Sequence, residues 1–160
     1  MEIDVRSDLD AGGQPAGITI RPRVEADDRD IVAVMADAFD DPWDYEEARE
    51  EFQRSSTHDP SLWLVAFDGD RAVGALFSYI TNGRGQVSAL GVREPWRRRG
   101  IGQALLRAAF VRLRERGVAD VRLNVDRNNV SDATRLYERA GMRLRRRWLV
   151  VSKVLLPRIE

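Results

Sequence analysis

Apolar and polar residues alternate through Ile18-Thr-Ile-Arg-Pro22, the period of a half-buried strand, and this sets the first predicted strand. Residues 1–17 before it, with Ala11-Gly-Gly-Gln-Pro-Ala-Gly17, read as a mobile tail. The period then changes to that of a helix. Ile31, Val34, Met35 and Ala38 fall on one face behind a cap at Asp27 or Asp28. Asp41-Pro42-Trp43 restarts the chain as a second helix, with aspartate at the cap and proline in the first turn, running to about Ser55. Leu62 to Phe67 and Ala72 to Thr81 flank Asp68-Gly69-Asp70 and read as a hairpin. Asn82-Gly-Arg-Gly85 makes the next tight turn and leads into a strand from Val87 to Val92.

Beyond residue 100 helical spacing returns. Ile101, Ala104, Leu105 and Ala108 are placed inward, Arg107 and Arg114 share an outer face, and Gly117 ends the helix. Val121 to Val125 alternates as a strand, and a helix from about Asp132 to Ala140 follows, with Gly141 as its cap. No turn residue interrupts Arg145 to Val154, so the end of the chain reads as one long strand, with an exposed basic face over Arg143 to Trp148.

Composition narrows the function classes. A chain of 160 residues suits one domain, expected over residues 18–160. Without cysteine there is no disulfide framework, thiolate metal site or cysteine nucleophile, and a single histidine argues against a structural zinc or a histidine triad. No metal is expected. No apolar run is long enough to span a bilayer, and Met1-Glu-Ile-Asp4 lacks the basic and apolar regions of a signal peptide, so the expected setting is cytoplasmic, with no membrane partner.

Lys and Arg number 26, balanced by 26 Asp and Glu, but the signs are unevenly spread. Acidic residues crowd the first sixty positions and arginines crowd Arg93 to Arg147. A basic half suits a polyanionic ligand. Nucleic acid is not the expected partner, because the domain is not basic overall and carries neither an RNA-binding aromatic signature nor a recognition-helix pattern.

The densest signal is Gln86-Val-Ser-Ala-Leu-Gly-Val-Arg-Glu-Pro-Trp-Arg-Arg-Arg-Gly-Ile-Gly-Gln-Ala-Leu-Leu106, a strand, a basic turn and a helix start in one run. The first turn of a helix has unpaired N–H groups at the positive end of the macrodipole, so an anion there gains several hydrogen bonds at once. Gly100 and Gly102 remove the Cβ atoms that would hold phosphate oxygens away, and Arg97, Arg98 and Arg99 offer charge-assisted contacts. A Walker-type loop is excluded because no Gly-Lys-Ser/Thr tripeptide exists. A dinucleotide fingerprint fits poorly: several residues separate the strand from the first glycine and Leu105 holds the third glycine position, although Asp126 lies where a ribose-binding acid would be.

This arrangement resembles the GNAT superfamily of acyl-CoA-dependent N-acetyltransferases, whose signature is Arg/Gln-x-x-Gly-x-Gly/Ala opening a helix after a central strand. Arg97-Arg98-Arg99-Gly100-Ile101-Gly102 matches it, Leu90-Gly91-Val92 matches the strand that splays from its neighbour, and Leu123-Asn-Val125, Asn129 and Ala133-Thr-Arg-Leu-Tyr-Glu-Arg-Ala-Gly-Met142 match the second half. The likeness spans about residues 18 to 156 and, in the cofactor motifs, extends to actinobacterial stand-alone and tandem members similar to mycothiol synthase. It implies an α/β (α+β) fold with a mixed, mostly antiparallel sheet flanked by helices and splayed at its central strands. It also implies acetyl-CoA as donor and coenzyme A as product, held by Leu90, Gly91 and Val92, by the turn from Arg97 to Gln103, and by Asn129, Ala133 and Tyr137. Family members usually finish with a hairpin of two strands. Here the single long final strand departs from that pattern, and its partner comes from a second subunit, making a homodimer, or is absent.

The resemblance gives Tyr137 the role of donating a proton to the departing coenzyme A sulfur. A phenol suits this because its ordinary pKa of about 10 lies near that of a thiol at about 8.5. Many relatives carry a carboxylate or histidine base on the strand before the turn, but Gln86-Val-Ser-Ala-Leu90 offers none, leaving a water relay as the simplest route. His58 has a suitable ordinary pKa, yet Ser56-Thr-His-Asp-Pro60 reads as a loop where a lone histidine is ordinary surface. Asp40-Asp-Pro-Trp-Asp-Tyr-Glu-Glu47 combines acids with aromatics, which would welcome a cationic amine, although a helix start favours acids by itself. The expected activity is acetyl transfer to a small-molecule or peptide amine. The alternative is a non-catalytic acyl-CoA-binding or regulatory module on the same fold.

Overall fold

The computed structural model describes residues 2–4, 13–39, 59–123 and 130–143. Among the described residues six strands form one sheet: β1 (Glu2–Asp4), β2 (Ile18–Pro22), β3 (Leu64–Asp68), β4 (Arg71–Thr81), β5 (Arg84–Val92) and β6 (Asp120–Leu123), in the order β1-β6-β5-β4-β3-β2. Strands β2 to β5 pair antiparallel in succession, β5 and β6 pair parallel, and β1 pairs antiparallel with β6. A parallel pair needs a long crossover, and helix α2 (Ile101–Glu115) supplies it. The other helices among the described residues are α1 (Asp28–Phe39) and α3 (Val130–Arg139). This is the mixed, mostly antiparallel sheet with flanking helices that the sequence led us to expect. Within the stretch read as a tail, Glu2–Asp4 form an edge strand in register with Asp120–Arg122.

The helices cover opposite faces. A Cβ built on Gly91 would point at Ala38 and Met35 of α1, whereas one on Gly74 would point at Leu105 and Ile101 of α2. Gly74 stands opposite Val92, the residue after Gly91, so the period of two along β5 presents one side to each helix. Ile31, Val34 and Met35 are buried as their spacing predicted, while Ala38 is half-buried. On α2 the packing is carried by Ile101, Leu105, Leu106, Ala109, Phe110 and Leu113. Ala104 and Ala108, expected inward, are half-buried at the rim, because bulkier neighbours turn the helix face toward themselves.

Entry into α1 is held by charge. Arg21 forks onto Asp27 at 2.7 and 2.9 Å, Arg23 onto Asp28 at 2.5 and 2.6 Å, and both acids are buried. Buried carboxylates require such partners. The arginines also lie over the rings of Phe67 and Trp63, 4.5 and 5.4 Å from the centroids. The hydrogen bonds from Arg21 in particular hold the Asp27 carboxyl below its ordinary range.

The tight turns follow the sequence. Asn82 and Gly83 both adopt positive φ (50° and 73°), as a two-residue hairpin turn between β4 and β5 requires. Gly141 follows α3 at φ 91°, its N–H bonding to Glu138 O and that of Met142 to Tyr137 O. The predicted helix from Asp41 to Ser55 and the final strand from Arg145 to Val154 lie outside the described residues, as do Val125 at the end of the sixth predicted strand and the acceptor-side segment Asp40 to Glu47.

Candidate active site

The site is built where β5 ends and α2 begins. Leu90, Gly91 and Val92 pair with Leu76, Ala75 and Gly74 of β4. On the other edge, the described ladder with β6 covers only Gly85 to Val87. A register shift opposite Phe77 and Ser78 leaves Ser88 as the extra residue of a bulge, which bends the strand just upstream of Leu90. Gly91 is buried, and its absent Cβ would lie 2.7 Å from Ala38 Cβ and 3.0 Å from Met35 Sδ. Only glycine lets the end of α1 press this closely on the strand.

From Val92 the chain makes a short, rigid turn. The Arg93 N–H continues the ladder to Val73 O, and Glu94–Trp96 form one turn of 3₁₀-helix with Pro95 in its first positions. Arg97 is extended, Arg98 has φ 62° and Gly100 has φ 78°. Helix α2 then starts at Ile101 with Gly100 as a cap that has no side chain to satisfy the first N–H groups. Turns of this kind point backbone N–H groups at an anion.

The three arginines are placed differently. Arg97 folds back, its Nε donating to Val92 O at 3.0 Å and its Nη2 to Ala38 O at 3.3 Å. Arg98 and Arg99 are exposed, and no described residue forms an ion pair with either. Arg93 pairs with Asp37 at 3.2 Å, so two arginines of this turn grip the end of α1.

Helix α3 packs on the first turn of α2. A Cβ on Gly102 would meet Leu136 Cδ2 at 3.2 Å, and Gln103 Nε2 donates to Arg139 O at 3.0 Å. Gly102 thus serves close helix packing, and the Gln103 side chain ties the two helices together. Ala133 and Tyr137, one helical turn apart on α3, are both half-buried. Burial raises the Tyr137 phenol above its ordinary value of 10.0, so it is protonated at neutral pH. The structure therefore brings Val92 and helix α3, through Leu136 and Arg139, against the first turn of α2 at Gly102 and Gln103, directly after the turn from Arg97 to Gly100, and Ala133 and Tyr137 lie on that same helix α3. Asn129 and His58 lie outside the described residues.

Trp96 was missed by sequence reasoning. Its indole Nε1 donates to Asp68 Oδ2 at 2.8 Å, and the Arg71 guanidinium lies 5.0 Å from its ring. Asp68 and Arg71 face each other at the tip of the β3–β4 hairpin. No local pattern could signal a contact made across 28 residues by a turn whose acid reads as ordinary turn chemistry.

The order of elements and the glycine-opened helix agree with a match between residues 29–142 and the sequence profile of the acetyltransferase (GNAT) family. The chain belongs to that family. It is 33% identical over 145 residues to a mycothiol acetyltransferase of Clavibacter michiganensis subsp. michiganensis, covering 88% of this chain and 47% of the relative. A GCN5-related N-acetyltransferase from Sphaerobacter thermophilus has a similar structure, with a TM-score of 0.81 and 37% identity over 90% of this chain and 47% of that one. The chain therefore spans about half the length of these two GNAT proteins. The ribosomal-protein-S18-alanine N-acetyltransferase of Escherichia coli shares the fold, with a TM-score of 0.66 at 21% identity, over 78% of this chain and 76% of that one. Among the described residues, no helix is long and apolar enough to cross a membrane.

Proposed function

We propose that this GNAT domain transfers an acetyl group from acetyl-CoA to a primary amine by direct attack of the amine on the thioester. The observation that carries the reading is the start of α2, where Gly100 leaves the first N–H groups without a side-chain cap beside the exposed Arg98 and Arg99. That is a fit for a pyrophosphate. Acetyl-CoA would supply an activated acetyl group, its thioester breaking as the new amide forms. The backbone of Leu90 to Val92 would align the pantetheine arm and orient the carbonyl, and Asn129 and Ala133 would complete the binding surface. Tyr137, kept protonated by burial, is the proton donor to the departing thiolate.

No carboxylate or histidine stands on β5 between Gln86 and Leu90, so the simplest route for deprotonating the amine is a water relay to a backbone carbonyl or to a carboxylate elsewhere. The acidic and aromatic segment Asp40 to Glu47 would favour a cationic acceptor. Coenzyme A release should be followed with polyamines, aminoglycosides, amino acids and peptide amino termini as acceptors. Activity confined to neutral or acidic amines would contradict a cationic pocket, and binding without any turnover would favour the non-catalytic module.

Tyr137→Phe is the internal test. Turnover should fall about a hundredfold or more, the usual range for loss of a general acid, while acetyl-CoA affinity stays within about twofold. The sign of the pH effect follows from the raised pKa: the acid is present at neutrality and lost only as pH rises through a value above 10.0. Wild-type turnover should therefore show no alkaline decline from this group below that value. Unchanged turnover in the variant would remove Tyr137 from the mechanism.

A further inference from the structure

The turn from Trp96 to Gly100 contains a strained residue. Arg98 has φ 62°, a region that residues with a Cβ seldom occupy and that costs on the order of 1 kcal/mol or more, so it persists only where the flanks hold it. One flank is fixed by Ile101, which is buried in the core as α2 begins. The other is fixed by side chains of the turn itself: Arg97 bonds to Val92 O and Ala38 O, and Trp96 reaches outward to the β3–β4 hairpin. At that hairpin Asp68 accepts the indole N–H and Arg71 lies against the ring, so the hairpin tip clamps the residue that leads into the three arginines.

We propose that Trp96 is a positioning residue for the cofactor turn, acting through Asp68 and Arg71, with the hairpin tip serving as a brace for anion binding. The role rests on the reading of this turn as the pyrophosphate site. Trp96 need not touch the cofactor. It keeps the left-handed conformation at Arg98 populated, so that the N–H groups and the guanidinium groups of Arg98 and Arg99 are already arranged when the anion arrives. When only a fraction of molecules holds that arrangement, the apparent dissociation constant rises by the inverse of the fraction.

The test is calorimetric titration of acetyl-CoA into the full chain and into Trp96→Phe, Asp68→Ala, Asp68→Asn and the Trp96→Phe/Asp68→Ala double variant. Trp96→Phe removes the N–H and keeps an aromatic ring. Asp68→Ala removes the acceptor at an exposed position where the fold is not at stake, and Asp68→Asn restores an acceptor oxygen. Trp96→Phe and Asp68→Ala are each expected to weaken binding about fivefold, the scale of one ordinary hydrogen bond. Asp68→Asn should stay within about twofold of the wild type, and the double variant should be no weaker than either single one, since both remove the same interaction. If the wild type binds and both single variants bind equally well, the brace is only structural and the proposal is overturned. Additive losses in the double variant, or an Asn variant as weak as the Ala variant, overturn it as well. A wild type that does not bind acetyl-CoA overturns the cofactor reading itself and takes this role with it.

Discussion

Arg97, Arg98 and Arg99 have identical chemistry and different surroundings. Arg97 spends its donors on the carbonyls of Val92 and Ala38, joining the end of β5 to the end of α1. Arg98 and Arg99 face solvent. A triple-arginine string in a sequence does not show this division, because which guanidinium folds back depends on where the end of α1 comes to lie. The expected consequence is a split in two readouts. Arg97→Ala should lower unfolding free energy by about 1 kcal/mol, the ordinary net worth of hydrogen bonds of this kind, while weakening acetyl-CoA binding by no more than about fivefold, the effect of loosening one flank of Arg98. Arg98→Ala/Arg99→Ala should weaken acetyl-CoA binding about tenfold or more with little change in stability. Denaturant unfolding and calorimetry measure both, and a reversed pattern would assign Arg97 to the phosphate. Gly91 was readable as part of a motif, but its physical necessity, the 2.7 Å approach to Ala38 Cβ, could be seen only once α1 was in place.

At the level of elements, the order of strands and helices was legible because hydrophobic period and turn chemistry agreed. Asn82-Gly83, Gly100, Gly117 and Gly141 all occupy positive φ where a turn or a helix end was expected. Less legible was which face of α2 would carry the packing, since leucine and alanine positions run around much of the helix, and the buried face includes Leu106, Ala109, Phe110 and Leu113 rather than Ala104 and Ala108. Asp27 and Asp28, at the entry to α1, were expected to offer its cap. Asp27 instead reaches back to accept the Val24 N–H at 2.8 Å in the short turn ahead of the helix, and both acids are committed to Arg21 and Arg23. The start of α2 also carries a backbone requirement. With Gly100 at φ 78°, alanine there would force a Cβ into a left-handed conformation. Gly100→Ala should cost about 1 kcal/mol of stability and also weaken acetyl-CoA binding, because the same Cβ crowds the anion's approach. Loss of stability with unaltered affinity would separate the strain from the site.

For the molecule as a whole, the uneven charge of the chain finds a place in the fold. The basic turn lies at the end of β5 and leads straight into α2, while the acidic residues from 27 to 37 belong largely to α1 and its entry, two of them buried against arginines. A sheet with α1 on one face and α2 on the other presents the end of β5 between them, and α3 closes against the first turn of α2. The donor side of the proposed reaction was therefore legible in local motifs, since glycines, arginines and a strand lie within one short run. The brace at Trp96 and the grip on α1 were not, since each depends on contacts between distant parts of the chain. Acetyl-CoA binding at this turn underlies every role proposed for it, and calorimetric titration of the purified chain with acetyl-CoA tests it most directly. The prediction is one site per chain with a dissociation constant in the micromolar range, about −8 kcal/mol, weakening as salt is raised. Absence of binding at about a millimolar ligand, where a site worth only about −4 kcal/mol would be half filled, would contradict it.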